Sequence, residues 1–222
     1  NSCGSRSIAY GNMVHNVRGA RAWMADGELL DFGPVAQATG RAARIAQFVH
    51  GLAQQHRAEI HAHWPKVMRR VAGYNLDIFD NQSERPYTAD GSVNLAHLLI
   101  GSEGTLAYTR SLKLKLAPLP RAKVLGIVNF PTFHAAMDAA QHIVKLGPTA
   151  VELVDRTLIE LARDIAMFRP VMEAHVRGKP DALLLVEFAE DDQAENLRRL
   201  DRLEELMGDL GFPGAVVKIS NP

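Results

Sequence analysis

Four short apolar runs dominate the second half of the chain, at residues 123–130, 150–154, 182–188 and 215–219. Their length and their content of Val, Ile and Leu predict strands. The segments between them follow the helical period. Thr132 is placed to cap a helix carrying Phe133, Ala136, Met137, Ala140, Ile143 and Val144, which Gly147-Pro148 ends. Leu158, Leu161, Ile165 and Phe168 mark another helix. The row Leu197, Leu200, Leu203, Leu206 and Leu210 marks a last one, read as core packing rather than a partner groove. Strand–helix–strand therefore occurs twice, with an extra helix between the copies. Two split βαβ units predict a ferredoxin-like α/β sandwich, and the chain as a whole is α+β.

Pro118-Leu119-Pro120 is the best linker candidate, giving expected domains of 1–120 and 121–222. The charge balance changes there too. Up to residue 120 there are 13 Lys/Arg against 9 Asp/Glu, and beyond it 12 against 16. In the first half, apolar runs on either side of Asp26-Gly27 signal a hairpin. Residues 41–63 read as a helix that Pro65 breaks. Residues 80–92 read as an exposed loop, and Leu95 to Ile100 as a short helix ending at Gly101. Leu112, Leu114 and Leu116 alternate with lysines, the period of a half-exposed strand.

The balance of 25 basic and 25 acidic residues argues against a nucleic-acid partner. No apolar run is long enough to span a bilayer. The single Cys3 excludes an internal disulfide and a Cys-rich zinc site. The chain opens on Asn1-Ser2-Cys3 without Met and closes just after a strand-like run, so a piece of a longer protein is expected.

Residues 1–11 are small and polar, with Gly4 and Gly11 framing Arg6 and Tyr10. Glycines there let the backbone come close to a ligand, but an ordinary loop has the same composition. Gly101-Ser102-Glu103-Gly104-Thr105 reads as a tight turn after a helix end. His56, His61 and His63 invite a metal reading, but residues two apart on a helix face different ways, so a solvated face is favoured and no metal site is expected. Tyr74 and Asn75 fit either a ligand approach or simple packing, and Glu190-Asp191-Asp192 fits a helix N-terminus.

Several segments form an ordered set: Asn1-Ser2-Cys3-Gly4-Ser5-Arg6 with Tyr10-Gly11, Asn16-Val17, Ala25-Asp26-Gly27, Gly73-Tyr74-Asn75-Leu76, Gly101 to Leu106 and Leu114 to Pro120. Together they resemble the FAD-linked oxidases of the vanillyl-alcohol-oxidase type, the group with a PCMH-type FAD-binding domain that includes glycolate oxidase D-subunit, D-lactate and D-2-hydroxyglutarate dehydrogenase types. Glu152-Leu153-Val154-Asp155 and Leu184 to Phe188 extend the likeness into the second half. The order is right along nearly the whole chain. The sequence departs from the pattern at Cys3, where the family has Gly, and at Arg110, where an acid is usual.

The resemblance implies that residues 1–120 are the later part of an FAD-binding domain and 121–222 the beginning of the substrate-capping domain. It implies FAD contacts from Asn1, Ser2, Cys3, Gly4, Arg6, Tyr10 and Gly11, and from Gly101, Glu103, Gly104 and Thr105, with Glu103 an alternative loop anchor. It implies a parent enzyme that oxidises a D-2-hydroxy acid by hydride transfer to flavin and passes electrons to an acceptor, in the cytoplasm or peripheral to the inner membrane. The catalytic residues are expected outside these limits, and the nearest subfamily adds an iron–sulfur region downstream. Two rivals stay open: a flavin oxidase of another substrate, such as an ether lipid or aromatic alcohol, and a non-catalytic structural module.

Overall fold

The computed structural model describes residues 4–67, 69–70, 73–80 and 86–220. The chain divides into two compact units, one holding residues 10–117 with Gly4, the other residues 5–9 with everything from Pro118 onward.

In the first unit, the helical turns Ser7–Tyr10 (α1, whose first three residues group with the other unit) and Met13–Asn16 (α2) lead into strand Val17–Trp23 (β1). Strand Leu29–Phe32 (β2) returns antiparallel, with Trp23 opposite Leu29. Gly27 sits at φ 84° in the turn, and its N–H donates to the Met24 carbonyl at 2.9 Å. This is the hairpin expected at Asp-Gly. Strand Tyr108–Leu114 (β3) pairs with the other edge of β1, so the sheet runs β2-β1-β3.

Helix Gly40–Gln55 (α3) turns small residues, Ala42, Ala46 and Ala53, to the core. Arg41 in its first turn pairs with Asp26 at 2.5 Å and Glu28 at 2.7 Å, tying the helix to the hairpin. The hydrogen bond from Arg41 holds the Asp26 carboxyl below its usual range.

The structure corrects three sequence expectations in this unit. The pattern over 41–63 is two helices, α3 and Arg57–His63 (α4), with a break at His56. The break lets Gln54, Arg57 and His61 all reach Asp80, at 3.1, 3.2 and 2.7 Å. Strand β3 is exposed along its whole length rather than on one face, because it is an edge strand with nothing packed on either side among the described residues. The loop after residue 80 is not wholly exposed, since Tyr87 is buried; residues 81–85 lie outside the described residues.

The second unit is built on strands Val124–Phe130 (β4), Ala150–Asp155 (β5), Ala182–Phe188 (β6) and Val216–Ile219 (β7). They form one antiparallel sheet in the order β5-β6-β4-β7. With helices Phe133–Ile143 (α5) and Gln193–Asp209 (α8) crossing between β4 and β5 and between β6 and β7, this is the ferredoxin-like topology. Thr132 caps α5 by accepting from the Ala135 N–H, and Gly147 ends the following turn in the left-handed region at φ 68°. Asp192 caps α8. The neighbouring Glu190 pairs instead with Arg199 at 3.0 Å.

One sheet face packs against α5 and α8. Val124, Val128, Phe130, Leu184, Val186 and Phe188 meet Leu200, Leu203 and Met207 there. The other face carries Ile127 and Leu183, covered by Ile159 of helix Arg156–Asp164 (α6) and by Met172 of helix Arg169–His175 (α7). The row that reveals α6 in the sequence, Leu158 and Leu161, is its outward face, and both are exposed.

The tightest point of the unit is Gly126 in β4. A Cβ there would lie 2.6 Å from Leu203 Cδ2 and 3.1 Å from Leu200 Cδ2, both side chains buried. Gly126→Val is expected to destabilise the second unit by about 1–3 kcal/mol through overpacking. Amide exchange of β4 and β6 in urea checks it. Trp23 and Trp64 both belong to the first unit, so their fluorescence transition should not move. Wild-type exchange in the variant would show that α8 yields without cost.

Candidate functional site

The turn at residues 101–105 is held by the elements before it. Asn94 accepts from the Ala96 N–H at 2.9 Å and donates to the Arg18 carbonyl at 2.9 Å, fixing a short 3-10 helix, Leu95–Leu98, against β1. All four residues of that helix are buried. Leu99 and Ile100 are buried too, and the chain then reverses through three left-handed residues: Gly101 at φ 96°, Glu103 at 52° and Gly104 at 80°. Glu103 is the single non-glycine with positive φ among the described residues. That conformation is unfavourable for a residue with a Cβ, so the surroundings must hold it.

Ser102 and Thr105 close the turn. The Ser102 hydroxyl donates to the Leu99 carbonyl at 2.9 Å, and the Thr105 N–H and hydroxyl donate to the Ser102 carbonyl at 3.0 and 2.6 Å. The Tyr74 hydroxyl meets the Thr105 hydroxyl at 2.8 Å. Glu103 and Gly104 are exposed, and their backbone N–H groups make no hydrogen bond among the described residues. A Cβ on Gly104 would meet nothing within 4 Å. The turn thus offers two consecutive amide donors on a fixed backbone, a shape that receives phosphate or carbonyl oxygens.

Behind the turn lies a buried polar cluster. Asn75 donates to the carbonyls of His97 and Ile100, both at 2.8 Å, and accepts from the Tyr87 hydroxyl at 3.2 Å. Arg70 donates to that hydroxyl, pairs with Asp77 at 2.6 Å, and lies 5.6 Å from the ring centres of Trp64 and Tyr87. Burial pushes the Asp77 carboxyl up, against the pull of Arg70. Tyr87 stands edge-on between His15 at 5.2 Å and His97 at 5.4 Å. His15 in turn backs Gly11, where a Cβ would touch its ring at 3.0 Å, so glycine at φ 74° is required. Its Nδ1 accepts from the Asn12 N–H at 3.0 Å.

Of the residues singled out in the sequence, Gly101, Glu103, Gly104 and Thr105 are therefore together, with Gly11 joined to them through His15, Tyr87 and Asn75. The Tyr10 carbonyl accepts from Asn16 at 2.9 Å at the start of that chain of contacts. Gly4 is exposed with open space around it. Asn1, Ser2 and Cys3 lie outside the described residues. Arg6 is elsewhere: it belongs to the second unit and grips Glu187 with two bonds, at 3.0 and 2.8 Å. His61 is engaged by Asp80, and among the described residues no three His, Cys, Asp or Glu side chains could share a metal ion.

Residues 119–218 match the model for the C-terminal domain of FAD linked oxidases. The D-2-hydroxyglutarate dehydrogenases of Pantoea ananatis and Escherichia coli are each 31% identical to this chain, over 90% and 92% of its length. A D-lactate dehydrogenase of Archaeoglobus fulgidus is 24% identical over 90% of it. The chain is similar to FAD-linked oxidases, with the match to their C-terminal domain at residues 119–218. It spans about a fifth of the two dehydrogenases first named, 20% and 21%, and 33% of the third. Two solved structures of alkyldihydroxyacetonephosphate synthase share the fold, with TM-scores of 0.53 and 0.54 over 98% of this chain and 31% of theirs, at 17% and 19% identity.

The cluster of Arg70, Asp77 and Tyr87 was not evident from the sequence. The seven-residue spacing of Arg70 and Asp77 is a helical one, but Gly73 lies between them and argues against a helix there. The available signal was Tyr87, a lone aromatic in a polar loop, which is a poor fit for a solvated segment.

His97 is fully buried, and desolvation lowers its pKa to about 4; its hydrogen bond to the Val17 backbone opposes the shift and nearby His15 adds to it. A base with a depressed pKa in the folded state stabilises the fold while neutral. Its contribution is complete above about pH 6.5 and is lost as pH falls toward 4, with roughly 3 kcal/mol at stake. Urea unfolding followed by tryptophan fluorescence should show that loss between pH 7 and 4.5. His97→Gln should flatten it, and an equally steep profile in the variant would assign the acid sensitivity to other groups.

Proposed function

We propose that the protein carrying this chain is an FAD-dependent dehydrogenase that oxidises a D-2-hydroxy acid. The flavin takes the hydride and hands the electrons to a separate acceptor. The observation that carries the reading is the turn at 101–105, with two amide donors unpaired among the described residues, open space at Gly104 and a buried support. It agrees with the names of the relatives that cover nine-tenths of the chain.

In this reading residues 1–120 are the later part of an FAD-binding domain and residues 121–222 the beginning of its cap domain. The Glu103 and Gly104 amides hold flavin or phosphate oxygens, and Thr105, whose hydroxyl donates to the Ser102 carbonyl, closes the turn behind them. Backbone near Gly4 and Gly11 serves the same cofactor from the other end of the cluster. FAD supplies the redox chemistry when bound; these residues supply hydrogen bonds that fix its position and keep water from competing for them. We place the enzyme in the cytoplasm, with electron delivery at the inner-membrane surface as part of the same proposal. Among the described residues no helix is long and apolar enough to cross a membrane.

Gly104→Val in the full-length protein tests the reading. A Cβ on Gly104, at φ 80°, meets nothing within 4 Å among the described residues, so in this reading the added side chain strains the backbone and occupies the ligand's space. The strain is about 1–2 kcal/mol, too little to unfold a domain. The expected outcome is a folded, colourless protein without the flavin band near 450 nm. Glu190→Gln, which touches Arg199 in the second unit, should keep its flavin. A yellow, active Gly104→Val protein would remove residues 101–105 from the cofactor site.

A further inference from the structure

We infer that Asn75 is a positioning residue, whose buried side chain sets the conformation of the 101–105 turn. The inference rests on reading that turn as cofactor-facing, and adds the device that holds it.

The turn leaves the 3-10 helix with two buried backbone carbonyls, those of His97 and Ile100, that no backbone N–H satisfies among the described residues. One carboxamide nitrogen has two protons, and Asn75 directs one to each carbonyl, both at 2.8 Å. The Ile100 carbonyl is the last group before Gly101, so this bond fixes the peptide from which the left-handed run starts. The oxygen of the same carboxamide is held by the Tyr87 hydroxyl, which Arg70 holds in turn. Both donor directions of the carboxamide and one acceptor direction are thereby specified, and the amide cannot flip without placing its oxygen against two carbonyls. Next in sequence, Tyr74 reaches the far end of the turn at Thr105. Residues 74 and 75 therefore clasp the turn at both ends, one from the surface and one from inside.

The test compares Tyr87→Phe and Asn75→Asp with wild type in the full-length protein. Tyr87→Phe keeps the ring between His15 and His97 and deletes the hydroxyl that orients Asn75. Asn75→Asp keeps the shape and replaces the donor by an oxygen. Three readouts are taken: amide exchange at Ser102 and Thr105, amide exchange along β1, and the dissociation constant for FAD. A positioning role predicts about tenfold faster exchange at Ser102 and Thr105 in Tyr87→Phe, unchanged exchange in β1, and about tenfold weaker FAD binding, each equivalent to one lost hydrogen bond of about 1.4 kcal/mol. A merely structural role would speed exchange in β1 as well. Unchanged exchange at Ser102 and Thr105 in Tyr87→Phe overturns the inference, whether or not Asn75→Asp folds. Faster exchange there with unchanged FAD affinity upholds the positioning role and refutes the cofactor reading of the turn instead.

Discussion

The first unit depends on how two buried carbonyls are satisfied. Here the chain leaves a short 3-10 helix and turns at once into left-handed residues, and among the described residues no backbone amide pairs with the carbonyls of His97 and Ile100. Each such group left bare in the interior costs about 1–3 kcal/mol. Asn75 serves both with one side chain. The cost moves to the oxygen of Asn75, then to the Tyr87 hydroxyl, then to Arg70, and ends at Asp77, where charge meets charge at 2.6 Å. A guanidinium buried against one carboxylate is stable only if its flat faces are also covered, and Trp64 and Tyr87 lie 5.6 Å from it. The exposed amides of Glu103 and Gly104 are the surface end of a chain of obligations that runs through the interior.

The second unit is held by a simpler rule. Its strands β4 and β6 are covered on both faces, so their sequences are almost continuously apolar. The helices α5 and α8 take one face, and close contact is possible because β4 has no side chain at Gly126. Polar groups fix the register at the margins. Lys218 on β7 reaches Asp201 at 2.7 Å and Glu204 at 2.5 Å on α8, which holds the edge strand under its helix. Asn196, fully buried at the start of α8, exchanges two hydrogen bonds with the backbone of Glu190 at 2.9 and 3.1 Å.

That difference explains what could be read from residues alone. The four strands and two packing helices of the second unit announce themselves by apolar period, and Thr132, Gly147 and Asp192 mark helix ends where the structure has them. The Asp26-Gly27 hairpin was legible for the same reason: one residue type fits one backbone shape. The break at His56 was not, because it serves a contact with Asp80 that lies 24 residues on. The exposed β3 misled because alternation reports a strand, not what covers it. In the site, the glycines of 101–105 were visible as glycines. The support was not, since Arg70, Asn75, Asp77 and Tyr87 are polar residues whose burial follows only from their meeting in space.

The placement of Arg6 narrows what the first eleven residues can do for a cofactor. An arginine in a small-residue loop suggests a phosphate ligand, yet a guanidinium that gives two parallel bonds to Glu187 has its fork filled by a carboxylate of matching shape. Ser5 is similarly taken up by Glu152. Glu152 and Glu187 lie on neighbouring strands, and Leu185, two residues before Glu187, is opposite Glu152, so both carboxylates stand on one sheet face. Residues 5–9 are therefore fastened to the second unit by side chains, while Gly4 and Tyr10-Gly11 group with the first. Among the described residues of this stretch, the proposed reading leaves a cofactor the backbone, at a glycine whose freedom the chain needs: Gly11 at φ 74°, against the ring of His15. In the proposed reading, recognition of a cofactor by this stretch therefore falls to backbone near Gly11 rather than to the guanidinium of Arg6, whose fork Glu187 fills.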